Sequence, residues 1–328
     1  MSESWLEKWK KHKKERHCRR NLPAVLLVLS AVLLIYAQCR RLSGEQTADY
    51  PVTRVSVILP HNDDGYWTLI KNGIEEAEQE IGKAYNIDVQ IFIPQLNYNI
   101  EQMIDILRQQ IAAKTDVIAV QGNEDEHFRE VLEEARSKGT RVICIDTPIR
   151  EFPYDLYIGT DNRAAGELMG RKLGELCGGA GRVAVLSGEP GYLNLEERYE
   201  GMKSVLEEEY PQIELTGTYY TYYDGLTFMN LYHNLSEEVN ILACLEGTGG
   251  ITLSHTYQTP DHTYQYMVAF DSREGVENGV LDGVVMQDTH QIGRRLIEEL
   301  AAYVRDGRFE SRTIYTDCYW FEQGKDSL

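Results

Sequence analysis

The strongest constraint on this chain is a regular alternation of short apolar segments with amphipathic helical segments. The first apolar segment, 55–59, precedes a stretch in which Ile70, Ile74, Ala77 and Ile81 recur at helical spacing. The apolar segments themselves lack strict alternation of polar and apolar residues, as expected for parallel strands that are covered on both faces. The sequence therefore predicts an α/β protein built on doubly wound parallel sheets.

This alternation occurs twice, which predicts two lobes. No Pro- or Ser-rich linker separates the two units, so we expect short hinge crossings near residues 150–155. The first lobe is predicted to comprise 52–152 plus 288–312, and the second 153–287 plus 313–328. A chain of this length exceeds what one compact core usually covers, in agreement with two lobes.

An apolar segment at residues 22–39 predicts a membrane anchor. It is slightly shorter than the ~20 residues that span a bilayer comfortably, and the preceding residues, 1–21, are rich in Lys and Arg. The positive-inside bias places these cations in the cytoplasm and all later residues outside. We therefore expect a single-pass protein of the cell membrane whose binding domain is extracytoplasmic, at the cell surface or in the periplasm. A signal sequence cleaved after Ala37 and lipidation at Cys39 are the alternatives.

Charge divides the chain into two parts. Residues 1–41 hold ten Lys/Arg and three Asp/Glu, which gives a net charge of +7. The remaining residues hold 23 Lys/Arg and 49 Asp/Glu, which gives a net charge of −26. Nucleic-acid binding needs a concentrated basic surface, and membrane topology accounts for the one basic cluster. We therefore expect no nucleic-acid partner.

The residues with catalytic or metal-binding potential form no recognised motif. Six cysteines, at positions 18, 39, 144, 177, 244 and 318, lack metal-like spacing. They are expected to be mostly buried free thiols, with one disulfide among the exported cysteines left open. The sequence also lacks a nucleophile elbow and a phosphate-binding loop with its lysine. We expect no metal, no cofactor and no enzymatic activity.

Residues 59–73 place a polar turn and two adjacent aromatic residues between a predicted strand and a predicted helix. Asp64 lies in the turn, and Tyr66 and Trp67 open the helix. Flat apolar rings beside hydrogen-bonding groups suit a polyhydroxylated ligand, because small-molecule sites combine apolar walls with a few polar groups. A sugar is the first candidate. The alternative is that the two aromatic residues are simply the first core residues of the helix.

Further polar residues follow other predicted strands. Glu124 comes after strand 117–120, Asp271 directly follows the segment 267–270, and Gln287 follows the next strand. Ligands of parallel α/β sheets bind at the carboxyl ends of the strands, and carboxylates and amides pair with adjacent hydroxyls. Each acid alone would also suit a helix N-cap, but caps do not require aromatic residues such as Phe270 beside them.

Over nearly all of residues 52–321 the chain resembles the type I periplasmic sugar-binding proteins of the ribose- and galactose-binding kind. The segment 64–67 is similar to the family's turn, in which a polar residue and paired aromatic rings hold the sugar. The resemblance implies a two-lobed fold with a hinge. The residues that it marks as ligand-binding are Asp64, Tyr66, Trp67, Glu124, Arg198, Phe270, Asp271 and Gln287.

Departures from the family pattern concern the charge of the site. Asp146 stands where sugar binders of this family usually have an arginine, and Glu246 lies where an Asn-Asp pair is usual. We keep Asp146 as a ligand-binding candidate. An unpaired buried carboxylate is unfavourable, so the additional acids favour an amino sugar or polyol over a neutral hexose.

The function implied by the resemblance is ligand capture by hinge closure. The ligand docks on one lobe, the other closes over it, and a membrane partner recognises the closed form. We expect a sugar, amino sugar or polyol as ligand and an ABC transporter permease as partner. The alternative is an anchored sensor subunit that acts on a histidine kinase. Repressors of the lactose-repressor family share the lobe pair, but a membrane segment replaces their DNA-reading helices here.

Overall fold

The computed structural model describes residues 50–61, 65–257 and 263–324. The basic segment 1–21, the apolar segment 22–39 and Asp64 lie outside these residues. Within the described part of the chain, no helix is long and apolar enough to cross a membrane. The expected anchor and the cell-membrane location therefore stay predictions.

Twelve strands form two six-stranded sheets in the described part of the chain. The first sheet contains β1 (Thr53–Ile58), β2 (Ile87–Phe92), β3 (Val117–Gln121), β4 (Arg141–Ile145), β5 (Leu156–Thr160) and β11 (Thr313–Thr316). The second contains β6 (Ala180–Ser187), β7 (Gln212–Tyr220), β8 (Ile241–Cys244), β9 (Tyr266–Phe270), β10 (Gly283–Gln287) and β12 (Cys318–Phe321).

The two sheets have the same topology. Their strand orders are β2-β1-β3-β4-β5-β11 and β7-β6-β8-β9-β10-β12. The strands are parallel except for β12, which runs antiparallel to β10. This order is doubly wound: β2 is added on one side of β1 and β3 on the other, and β7 and β8 flank β6 in the same way. Such a switch in strand order leaves a crevice at the carboxyl ends of the strands. The prediction of two parallel α/β lobes is confirmed.

Helices cover both faces of each sheet, so each lobe has two apolar core clusters. The helices of the first lobe are α1 (Gly65–Glu80), α2 (Ile100–Ala112), α3 (Glu126–Ser137) and α9 (Thr289–Asp306), and a 3-10 helix (Gly82–Tyr85) follows α1. Those of the second lobe are α4 (Asn162–Leu176), α5 (Leu193–Glu209), α6 (Gly225–Leu235), α7 (Gly247–Thr256) and α8 (Arg273–Glu277).

The crossings between the lobes correct the predicted boundaries. Strand β5 pairs with β4 in the first sheet, so the first crossing follows Thr160 and does not lie near 150–155. Strand β11 pairs with β5, so the last crossing lies at Asp317, between β11 and β12, and not before residue 313. The reason is physical: backbone hydrogen bonding to a partner strand decides which sheet a strand joins, and the local apolar pattern does not encode that partner.

The cysteines of the described region are free thiols. Cys144 and Cys244 are buried, and Cys177 and Cys318 are half-buried. Burial raises the pKa of the Cys144 thiol to about 12. Because the thiolate is the reactive form, this cysteine acts as an apolar core residue.

A pair of glycines in each lobe lets two helices meet backbone to backbone. In the first lobe, a Cβ on Gly293 of α9 would lie 2.0 Å from the carbonyl oxygen of Ile70 in α1. In the second lobe, a Cβ on Gly201 of α5 would lie 2.1 Å from the carbonyl oxygen of Arg163 in α4. A backbone carbonyl inside a helix cannot move aside alone, so a larger residue must separate the two helices.

We expect Gly201→Ala to lower the free energy of unfolding by about 1–3 kcal/mol, the usual range for overpacking. Gly225→Ala is the matched control, because a Cβ there would meet Thr252 at an ordinary contact distance of 3.5 Å. Urea denaturation of both variants measures the difference. Equal stability of the two variants would contradict the close helix contact.

Candidate ligand-binding site

A cavity of about 690 Å³ lies between the lobes, a volume within the usual ~300–1,000 Å³ of small-molecule sites. The first lobe lines it with His61, Gly65, Tyr66, Trp67, Leu69, Asn97, Tyr98, Gln121, Asp146 and Thr289. The second lobe lines it with Glu189, Asn194, Leu195, Arg198, Tyr222, Tyr223, Glu246, Gly247, Thr248, Ile251, Asp271, Met286 and Gln287. Most of these residues end a strand or follow one, so the cavity occupies the carboxyl ends of both sheets.

The first lobe contributes an aspartate held in place by neighbouring donors. Asp146 follows β4, and Gln121 is the last residue of β3 beside it. Gln121 Nε2 donates to Asp146 Oδ2 at 2.9 Å, and Thr147 Oγ1 donates to the same oxygen at 2.7 Å. The Tyr66 hydroxyl donates to Asp146 Oδ1. These bonds fix the carboxylate and the tyrosine ring in one orientation.

The second lobe also contributes an aspartate–glutamine pair. Asp271 follows β9, and Gln287 is the last residue of the adjacent β10. The Gln287 backbone N–H donates to Asp271 Oδ1 at 2.9 Å, and its Nε2 donates to Oδ2. Burial raises the pKa of Asp271 to about 6, although Arg198 and the Gln287 donors act in the opposite direction.

Arg198 of α5 connects this pair to the rest of the second lobe. Its Nη2 donates to Gln287 Oε1 at 2.8 Å, its Nη1 to the Leu245 carbonyl oxygen at 2.9 Å and its Nε to Asn162 Oδ1 at 2.9 Å. The guanidinium carbon lies 4.1 Å from the centroid of the Phe270 ring. A planar guanidinium can stack on an aromatic ring while its N–H groups donate from its edge. The Phe270 ring therefore packs against the face of the Arg198 guanidinium.

Aromatic rings from both lobes meet across the cleft. Tyr98 of the first lobe stacks on Tyr223 of the second, with ring centroids 4.6 Å apart and planes inclined by 10°. Trp67 Nε1 donates to the Tyr98 hydroxyl at 2.9 Å, and Tyr192 meets the Tyr223 ring edge-on. Such pairs stabilise their contact by ~0.5–1.5 kcal/mol beyond area burial. The stack therefore favours the arrangement in which the lobes face each other.

Backbone conformation aims several of these side chains into the cavity. Five non-glycine residues that line it have a positive φ between 50° and 64°: Tyr98, Asp146, Tyr222, Tyr223 and Asp271. Such a φ is uncommon outside glycine, and backbone strain of this kind concentrates at ligand sites, where the surrounding structure imposes it.

The structure brings together six of the nine predicted ligand-binding residues. Those that line the cavity are Tyr66, Trp67, Asp146, Arg198, Asp271 and Gln287. Glu124 is not among the lining residues, because its carboxylate accepts from the Arg150 backbone N–H at 2.7 Å and from Arg129 at 3.3 Å. Phe270 is fully buried beneath Arg198 and also does not line the cavity. Asp64 lies outside the described residues.

Helix capping, the alternative role for acids at strand ends, falls largely to neighbouring residues. Asp125 caps α3 by accepting from Phe128 N, and Asp288 caps α9 by accepting from Gln291 N. This leaves Gln287 for the cavity. Glu246 does cap α7, through Thr248 N, and lines the cavity as well.

Sequence reasoning missed the tyrosines and one glutamine of the site. Tyr98 follows β2, Tyr222 and Tyr223 follow β7, and Gln121 ends β3. The rule that ligands bind at the carboxyl ends of strands, applied to every strand, would have found them.

The raised pKa of Asp271 predicts how stability depends on pH. Because about 6 exceeds the ordinary 3.8, the folded protein holds this proton more tightly than the unfolded chain. The resulting stability is fully present below pH 3.8 and is lost as the pH rises through about 6. Urea denaturation across this window should show a steeper decline for the wild type than for Asp271→Asn. Parallel curves would contradict the burial of an ionisable Asp271.

Fold and cavity together define a two-lobed α/β protein with a cavity of small-molecule size between its lobes. The family model for the periplasmic binding protein domain matches residues 55–308. The chain belongs to this family.

Individual relatives resemble parts or most of the chain. The D-xylose-binding periplasmic protein of Escherichia coli K12 is 25% identical over 126 residues, which are 38% of this chain and 38% of that protein. The match thus spans well under half of this relative's length. GanP, a glucose-galactose binding protein from Geobacillus stearothermophilus, has a TM-score of 0.75 and 23% identity over 85% of this chain and 100% of its own. The structure of the XylFII-LytSN complex has a TM-score of 0.71 and 21% identity, and the match covers 83% of this chain and 98% of that chain.

Proposed function

We propose that this chain is an extracytoplasmic solute-binding protein that closes its two lobes on a sugar or sugar-like ligand. The observation that carries the proposal is the cavity between the lobes, where each lobe presents an aspartate–glutamine pair beside aromatic rings. Carboxylates and amides share paired hydrogen bonds with adjacent hydroxyls, and tyrosine and tryptophan rings pack on the apolar faces of a sugar ring. The names of the xylose-binding and glucose-galactose binding relatives agree with this ligand class.

Closure follows from the division of the site between the lobes. Asp146 and Gln121 come from the first lobe, and Asp271 and Gln287 come from the second, so a ligand gains both sets of hydrogen bonds only when the lobes meet. A ligand shifts a conformational equilibrium only by its differential affinity for the two states. The Tyr98–Tyr223 stack adds a direct contact between the lobes in the closed state.

We propose an ABC transporter permease as the partner that recognises the closed form, with segment 22–39 holding the protein at the outer face of the membrane. A sensor histidine kinase is the second candidate. It is favoured by the relative that was solved as a complex with LytSN. The two roles differ in what deletion affects: a transport role requires loss of ligand uptake, whereas a sensing role requires loss of a ligand-dependent response with uptake intact.

Titration of the full chain with pentoses, hexoses, amino sugars and polyols should reveal at least one ligand that raises the melting temperature, because ligands of the native state stabilise it. Asp271→Ala removes an acceptor of charged hydrogen bonds worth ~1.5–3 kcal/mol, so the dissociation constant should rise about tenfold to a hundredfold. Asp88→Ala, an exposed position on β2, should leave affinity unchanged. Unchanged affinity in Asp271→Ala would overturn the site assignment.

Removal of the interlobe stack by Tyr223→Ala should weaken closure. In small-angle X-ray scattering, saturating ligand should reduce the radius of gyration of the wild type. We expect a smaller reduction for Tyr223→Ala, because the closed state loses a contact that the open state lacks. Tyr319→Ala, an exposed tyrosine on β12, is the control. The same ligand response in all three proteins would show that the stack does not contribute to closure.

A further inference from the structure

Glu246 is a cavity-lining acid with an unused hydrogen-bonding oxygen. It lies between β8 and α7 and is 7% exposed. Its Oε2 accepts from the Thr248 backbone N–H, whereas its Oε1 is buried and has no hydrogen-bond partner. A buried carboxylate oxygen without a donor is energetically unfavourable. A ligand donor at this point of the cavity would remove that penalty.

The other cavity acids have protein donors. Asp146 receives hydrogen bonds from Gln121, Thr147 and Tyr66, and both oxygens of Asp271 receive them from Gln287. Glu189 is hydrogen-bonded to Tyr192. Each oxygen of Asp146 and Asp271 thus already has a donor, whereas Oε1 of Glu246 has none.

The charge of the cavity favours a cationic donor over a neutral one. Four carboxyl groups line it, those of Asp146, Glu189, Glu246 and Asp271, together with the guanidinium of Arg198. The hydrogen bonds that Arg198 donates go to Asn162, Leu245 and Gln287. Arg198 also acts electrostatically on Glu246 and Asp271, but it is one cation against four carboxyl groups. A ligand hydroxyl would satisfy Glu246 Oε1 without adding a positive charge.

The position of Glu246 also supports its ionised form. It caps the N-terminus of α7, where backbone N–H groups and the helix dipole stabilise a negative charge. Burial outweighs these groups and raises the pKa of Glu246 above its ordinary value, although the Thr248 and Gly249 donors and Arg198 act in the opposite direction. A protonated amine supplies both the missing donor and the opposite charge, and charge-assisted bonds of this type are the stronger ones.

We propose that the sugar-like ligand carries a protonated amino group and that Glu246 binds this group. The proposal rests on the proposed function and narrows its ligand class to amino sugars. It makes Glu246 a specificity-determining residue, because neutral sugars can still use the two aspartate–glutamine pairs.

The test compares matched sugars that differ at one carbon, as free amine, N-acetylated amine and hydroxyl: glucosamine, N-acetylglucosamine and glucose, and the galactose series. Isothermal titration of the full chain is carried out at a pH at which the free amine is protonated. We expect at least one free amine to bind about tenfold or more tightly than both neutral counterparts, equivalent to one buried charge pair.

Variants then assign the preference to one residue. Glu246→Gln keeps the size of the side chain and an oxygen acceptor for Thr248 N but removes the charge, so the preference for the free amine over both neutral sugars should disappear. Glu130→Gln, an exposed acid on α3, should keep the preference. Retention of the preference in Glu246→Gln would overturn the role of Glu246.

The remaining outcomes separate this inference from the function on which it rests. Equal binding of amino and neutral sugars by the wild type would overturn the amine proposal and leave the sugar-binding function standing. That result would fit a neutral Glu246 that donates its proton to a ligand hydroxyl. Absence of binding by every sugar would overturn both the proposed function and this inference.

Discussion

The second lobe's half of the site depends on one buried guanidinium. Arg198 donates to Gln287, whose side-chain amide and backbone N–H donate in turn to Asp271. The other hydrogen bonds of Arg198 go to Asn162 on α4 and to the carbonyl oxygen of Leu245, which follows β8. The group is 3% exposed and rests on the Phe270 ring. Because a buried cation is tolerated only when it is well paired and hydrogen-bonded, the acids and amides around it cannot rearrange independently. The polar groups are therefore held in place before a ligand arrives.

The first lobe reaches a similar arrangement by different means. Its aspartate, Asp146, is held by Gln121, Thr147 and Tyr66 without an arginine donor. Both aspartates follow a strand and both have a positive φ, 64° for Asp146 and 50° for Asp271. The two aspartates follow equivalent strands, β4 and β9, but the glutamines end strands on opposite sides of them, β3 and β10. Only the second lobe contributes an arginine to its pair. Among the described residues that line the cavity, four carboxyl groups stand against the one guanidinium of Arg198.

Much of the fold and part of the site followed from local patterns. Apolar strands that alternate with amphipathic helices predicted two parallel α/β lobes, because burial on both faces leaves a recognisable composition. Asp271 and Gln287 were predicted because they directly follow apolar strands, and Asp146 was predicted because it stands where the resembled family usually has an arginine. Glu124 fitted the same pattern, yet its carboxylate is occupied by Arg129 and the Arg150 backbone. Local position identified candidates but did not identify their partners.

The sequence by itself determined the class of fold, its two-lobed organisation and the end of the sheets at which a ligand would bind, since these depend on residue type and short-range periodicity. Only the tertiary structure decided that β5 and β11 belong to the first sheet, that Tyr98 meets Tyr223 across the cleft, and that Phe270 lies beneath Arg198. These features are contacts between residues distant in the chain. Their energies depend on backbone pairing and packing geometry, which exist only after the two lobes have formed and faced each other.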